Sequence, residues 1–403
     1  MTKVIGLFAG LRTPRHNHVN VYVKNKGPDD AVRARPLYST AHLKMREPMM
    51  VFKTVVITVL QLALAILTFN AAAPSAFAQA KWEKLAPFPE PAEEILGAAA
   101  GGKMYVFAGF IPIWKPKGLV YEYDPANNQW TKKKPMALPS HHVAFTEYHG
   151  KIYAFGGFVY PTSGPAAWVP INNAWEYDPA ADTWKALAPM PSKRGSPVAT
   201  AVGDKIYVIG GVSLPPGSTD IAVSPTTPQV SVGTVEEYNP ETNTWRERSP
   251  MPTPRNHAAI GSVNGKIYVI GGRVGAAFIG LASDTSVVEE YDPANDKWSA
   301  TRARMPTTRS ALGYAVINGR VYVAGGEFQD PHMMATFRSV EAYDPASNTW
   351  SIMPPMPVSR HGLAAGAIGN KLILVGGDVQ SSGTGVEVST SEVDELVIPA
   401  ADH

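Results

Sequence analysis

One pattern occurs six times between residues 80 and 398 and decides more about the fold than any other feature. An apolar run ends in a glycine doublet, a variable stretch follows, then an aromatic run closes on Tyr-Asp-Pro with a tryptophan a few residues on. The doublets are Ala108-Gly109, Gly156-Gly157, Gly210-Gly211, Gly271-Gly272, Gly325-Gly326 and Gly376-Gly377. The turns begin at Tyr123, Tyr177, Tyr238 (with Asn239), Tyr291 and Tyr343; the tryptophans are Trp82, Trp130, Trp184, Trp245, Trp298 and Trp350, spaced 48, 54, 61, 53 and 52 residues apart. In the fourth unit, Asn256 to Ser262 reads as a strand and Asn264-Gly265 as a two-residue hairpin turn. Lys266 to Ile270 is a second strand, Val287 to Tyr291 a third, and a fourth carries Trp298. A lone four-stranded sheet has two apolar faces and cannot bury both, so copies must stack.

A repeat of about 50 residues with this punctuation resembles the kelch family, whose units are the four-stranded blades of a β-propeller. The expected fold is therefore all-β, a six-bladed kelch propeller. Lys81-Trp82-Glu83-Lys84-Leu85 matches a fourth strand lacking its first three, and Ser391 to Ile398 a third strand with no tryptophan-bearing fourth after it. The two fragments complete each other, so the N-terminal strand is expected to close the last blade and remove a free sheet edge.

Before the repeats, Val55 to Leu67 (VVITVLQLALAIL) follows Lys53 and precedes Ala76-Phe77-Ala78, the three-part layout of a secretory signal peptide. The run is shorter than the roughly 20 residues that cross a bilayer. The expected domains are thus residues 1–48, an upstream extension of doubtful status, 49–78, a signal peptide, and 79–403, the propeller. A periplasmic or secreted location follows, with no membrane span after cleavage. Residues 1–78 hold 10 Lys+Arg against 3 Asp+Glu, and residues 79–403 hold 26 against 31, so the body is mildly acidic although the whole chain is at +2. The basic segment is the one expected to be removed, which leaves no argument for nucleic acid. With Cys 0, thiolate catalysis, Cys-ligated zinc, iron–sulfur clusters and disulfides are excluded. So is the cysteine-dependent copper-radical chemistry of galactose oxidase, a distant kelch relative.

The turns joining first to second strands are tight, as at His149-Gly150, Gly203-Asp204, Asn264-Gly265 and Asn318-Gly319, whereas second-to-third connections are long, notably Phe158 to Ile171 and Val212 to Gly233. Binding is expected on the long-loop face. Sixteen positions before each doublet stand Arg194, Arg255, Arg309 and Arg360 in units three to six, Ser140 in unit two, and Ala92, followed by Glu93 and Glu94, in unit one. Arginines at this place in similar kelch domains can hold acidic ligands, and guanidinium geometry suits carboxylates. They are therefore expected to line a positive channel mouth, with Arg273, Glu327 and Asp378 just past the doublets. His142 and His257 share a repeat position, which packing explains, and nothing in the sequence specifies three converging metal ligands.

The expected function is that of a monomeric binding module for a protein or glycan bearing an anionic group, with no cofactor and no metal. The enzyme alternative is a sugar-acid mutarotase resembling the periplasmic N-acetylneuraminate epimerases, which also join a signal peptide to a six-bladed kelch ring. That resemblance implies Glu327 as general base and Arg338 as the carboxylate-holding residue.

Overall fold

In this computed structural model the described residues are 80–111, 114–278, 282–299, 302–330, 332–381 and 388–399. The expected signal peptide and the extension before it lie outside them. The described secondary structure is almost entirely strand, organised as six four-stranded antiparallel sheets with short ribbons between. Blade one is Glu93–Ala100, Lys103–Ile111, Lys115–Asp124 and Gln129–Lys132; blade four is Ala259–Val263, Lys266–Ile270, Val288–Asp292 and Lys297–Trp298. The first strands of successive blades touch one another in order, and that of blade six touches that of blade one, so the ring closes.

The closure is the one expected. Lys81–Lys84 runs antiparallel to Val393–Val397, with Trp82 opposite Leu396, and completes the sheet of Ala364–Ile368 and Lys371–Val375. This is the register in which Tyr123 faces Trp130 and Tyr343 faces Trp350.

The repeated residues also join neighbouring blades. Each Tyr hydroxyl donates to an Asx side chain five residues on: Asn128, Asp182, Asn243, Asp296 and Asn348. These five have φ of 52–55°, a left-handed turn position that Asn and Asp tolerate. The same Asx oxygen accepts the backbone N–H of a residue leaving the previous blade, and the blade's tryptophan Nε1 donates to that residue's carbonyl. Asn243 and Trp245 hold Ala188 in this way, at 2.8 Å in both cases. Asp296 and Trp298 hold Ser249, and Asn348 and Trp350 hold Ala303. The aromatic repeat therefore fills the core and ties one blade to the next.

The doublets act on the opposite side. Gly210 and Gly211 have φ of 67° and 109°, and a Cβ on Gly210 would lie 2.5 Å from the Arg255 carbonyl of the following blade. Without side chains the chain can approach that carbonyl, to which Gly211 N–H donates at 2.9 Å. The equivalent bond recurs from Gly157 to Arg194, Gly272 to Arg309 and Gly326 to Arg360.

Candidate functional site

The four repeat arginines are among the most buried side chains of the protein, at 0–1% exposure, so the expectation that they line an open, positive mouth is corrected. Arg194, Arg255, Arg309 and Arg360 each form an ion pair with a carboxylate on the third strand of their own blade: Glu236, Glu289, Glu341 and Asp394, at 2.7, 2.6, 2.6 and 2.5 Å. Further guanidinium protons go to backbone carbonyls, such as Val208 for Arg194 and Val269 for Arg255, while the buried Nε of Arg194, Arg255 and Arg360 has no hydrogen-bond partner. A cation taken fully out of water needs such a set of acceptors. Paired and buried inside the blades, these groups are out of reach of a ligand at the surface.

The signal was present in the sequence. The residue two before each repeat tyrosine, or before Leu396 in blade six, is acidic in the four units that carry arginine. In units one and two, where Ala92 and Ser140 replace it, that residue is Tyr121 or Trp175.

What does gather at the channel mouth are the two positions after the arginine. The first of these, Glu93, His141, Asn256, Ser310 and His361 among them, bridges to the residue just past its doublet, as in Asn256 with Arg273, Ser310 with Glu327 and His361 with Asp378. The second is occupied in order by Glu94, His142, Ser196, His257, Ala311 and Gly362, all with φ of 50–56°. A left-handed residue repeated in every blade brings these six positions to one cavity of about 40 Å³, which all six line.

Three expected site residues belong to this region, all buried and all engaged. Arg273 donates to Glu327 Oε1 at 2.7 Å, to Ser310 Oγ at 3.1 Å and to the Ala277 carbonyl. Glu327 Oε2 also accepts from Ser381 Oγ at 2.7 Å and from Gln329 Nε2. Asp378 accepts the backbone N–H groups of Gln380 and Val388. Burial pushes Glu94 up to about 8, with Glu93 and Glu327 adding to it. Burial opposes the charge on His361, but Glu327, Glu93 and Glu94 outweigh it and hold the imidazole up to about 10. Burial carries His142 and His257 well below the ordinary range, helped by neighbouring cationic groups, and His141 down to about 3.

Comparison with known proteins decides the family. Models of the Kelch motif match residues 97–137, 139–191 and 193–252, and the model of the KLHDC2/KLHL20/DRC7 Kelch-repeats domain matches 225–377. This chain belongs to the kelch-repeat family. It is 30% identical over 219 residues to Kelch-like protein terF of Aspergillus terreus, a match covering 54% of this chain and 45% of that protein. It is likewise 30% identical to Kelch-like protein 25 of Xenopus tropicalis (51% and 32% covered) and to human Kelch-like protein 23 (49% and 31%). The chain thus spans less than half the length of these curated relatives.

On this kelch propeller the mouth is two-sided. Just past the doublets, blades four to six present Arg273, Glu327 and Asp378, while blades one to three present the buried Phe110, Phe158 and Val212. Over the apolar side, Trp114, Trp168, Val223 and Phe278 come from the second-to-third-strand connections of four blades and pack as one cluster, with Trp168 and Phe278 ring centroids 4.3 Å apart. Trp168 also lies 4.7 Å from the His142 ring. The epimerase-like pair is not served by this geometry: Arg338 donates Nε to the Met356 carbonyl, while Glu327 is held by Arg273, Ser381 and Gln329.

Proposed function

We propose that this kelch propeller is a binding module that docks a partner protein on its long-loop face, and that it works outside the cytoplasm after cleavage of residues 49–78. Kelch membership supports protein binding. The observation that carries the choice of face is the placement of exposed apolar side chains. Among the described residues five large ones are exposed: Ile221, Met333, Met334, Ile352 and Val388. Four of the five, all but Ile352, lie on connections between second and third strands. Exposed apolar groups collected on one face mark an interaction surface, and flexible methionines suit partner contacts. With the repeat arginines paired inside the blades, an anionic ligand has lost the residues that argued for it.

The test is a triple variant, Ile221→Asp/Met333→Asp/Met334→Asp, compared with Ile352→Asp in crosslinking to proteins of the native cell envelope. A partner captured by the parent and by Ile352→Asp should be lost at least roughly tenfold in the triple variant, since each buried apolar anchor is worth about 1 kcal/mol or more. The melting temperature should be unchanged. Equal capture by all three proteins would move the interface elsewhere, and a specific hit in a glycan screen would change the ligand class.

Export rests on Val55 to Leu67 and on Ala76 and Ala78, the small residues that a signal peptidase accepts. The mature chain is expected to begin at Gln79, as intact mass of the exported protein would show. A species that keeps Val55 to Leu67 would identify an anchored protein instead.

A further inference from the structure

We propose that Glu94, His142 and His257 form a binding site for one divalent first-row transition-metal ion at the channel mouth. The three residues occupy the same repeat position in blades one, two and four, and one ligand atom from each lies within 4.8 Å of the other two. All three are buried, at 7%, 4% and 8% exposure. The remaining blades place Ser196, Ala311 and Gly362 at that position. Three positions of the ring thus carry residues that can ligate, and the other three carry residues small enough to leave room. Closing a tetrahedral set with metal–ligand bonds of about 2.0–2.2 Å needs ligand atoms roughly 3.3–3.6 Å apart, a contraction that rotation of these side chains into the cavity can supply.

Orientation of the imidazoles is the second observation. His257 Nδ1 faces Asn256 Oδ1, an oxygen that can only accept, so the proton sits on Nδ1 and Nε2 keeps its lone pair. His142 Nδ1 is hydrogen-bonded to His141 Nδ1 at 2.5 Å, which again turns Nε2 toward the cavity. Metal-ligating histidines are held in this manner by a partner on the other ring nitrogen. His142 Nε2 is buried with no hydrogen-bond partner; Glu94 Oε2 stands 3.4 Å away without the geometry of a hydrogen bond. A metal would satisfy both. Ser196 Oγ, 3.3 Å from His257 Nε2, makes the single contact that the ion would replace.

A second group, Glu93, Glu94 and His361, shares Glu94 but fits an ion less well. His361 Nε2 already lies between two carboxylates, 3.3 Å from Glu93 and 3.7 Å from Glu327. Two imidazoles and one carboxylate, with no thiolate, suit Zn²⁺ or Fe²⁺ rather than Mg²⁺ or Ca²⁺, which prefer oxygen alone. Three protein ligands beside an open cavity leave a position for water or a further ligand.

The experiment is a titration of the untagged, chelator-treated full chain with Co²⁺ alone, followed by displacement with Zn²⁺. One Co²⁺ per chain should give the absorption of a four- or five-coordinate site and be displaced stoichiometrically. His142→Ala and His257→Ala should weaken binding more than roughly 100-fold, and Asn256→Ala, which leaves every ligand in place, by roughly 10–100-fold. Circular dichroism would show that the variants fold. X-ray absorption of the parent with Zn²⁺ needs no variant and should show two imidazoles and a carboxylate oxygen. Unchanged affinity in the folded His142 and His257 variants, six-coordinate Co²⁺ spectra, or a zinc shell without imidazole would each overturn the site.

Discussion

Arg309→Ala is expected to cost about 3–5 kcal/mol of folding free energy, the usual consequence of removing one partner from a buried ion pair. The guanidinium is fully out of water and holds Glu341 at 2.6 Å and the carbonyls of Thr307 and Gly325 at 2.9 and 2.7 Å. Glu341 also accepts Thr307 Oγ1. Truncation leaves a carboxylate and its neighbouring carbonyls without their cation, in the middle of a wedge where water does not reach. Equilibrium denaturation would measure the loss. The diagnostic comparison is Arg309→Met/Glu341→Leu, which removes both charges and should recover part of the deficit, because an apolar pair of similar volume does not leave a bare ion behind. If Arg309→Ala melts with the parent and instead abolishes binding of an acidic ligand, the arginine serves the surface and the structural account fails.

The contrast between what could be read from the sequence and what could not follows from how information is spread along a repeat. Strand order, tight turns and the closing role of Trp82 are local or periodic, so the spacing of glycines and tryptophans shows them directly. The direction of a side chain is neither. Arg194, Arg255, Arg309 and Arg360 were visible as a column, but whether that column faces the channel or the sheet depends on the strand's twist. The carboxylates at 236, 289, 341 and 394 lie 32–42 residues away. The Asx clamp at 128, 182, 243, 296 and 348 was equally periodic; it was hidden by its mixture of Asn and Asp inside an ordinary turn. The mouth cluster was harder still. His142 and His257 could be aligned, yet their third companion is a glutamate in the least regular unit, where Ala92-Glu93-Glu94 replaces the arginine motif. Counting from the doublet, Ala108 places Glu94 at the same position as the two histidines. That count was available from the sequence alone.

The second large effect should come from the strand that closes the ring. A chain that starts at Ala86 lacks Lys81–Lys84 and leaves the edge of Val393–Val397 unpaired, together with the cluster of Leu396, Leu372, Met353 and Met356 against which Trp82 packs. Trp82 Nε1 also donates to the Pro354 carbonyl at 3.2 Å, the tie between blades five and six that the other tryptophans make elsewhere. Removal therefore strips one blade of a strand and one blade junction of its clamp. A fully buried tryptophan costs about 3–5 kcal/mol to remove; Trp82 is half-buried and contributes less, and the lost ladder and exposed edge add to its loss. The truncated chain is expected to unfold many degrees below the parent, with a broadened transition as blade six separates from the cooperative unit. A synthetic peptide spanning residues 79–90 added in trans should restore part of the melting temperature by pairing with the vacant edge, whereas a variant peptide with Trp82→Ala should restore less. A truncated chain that melts within a degree or two of the parent would mean that the ring does not depend on its N-terminal strand.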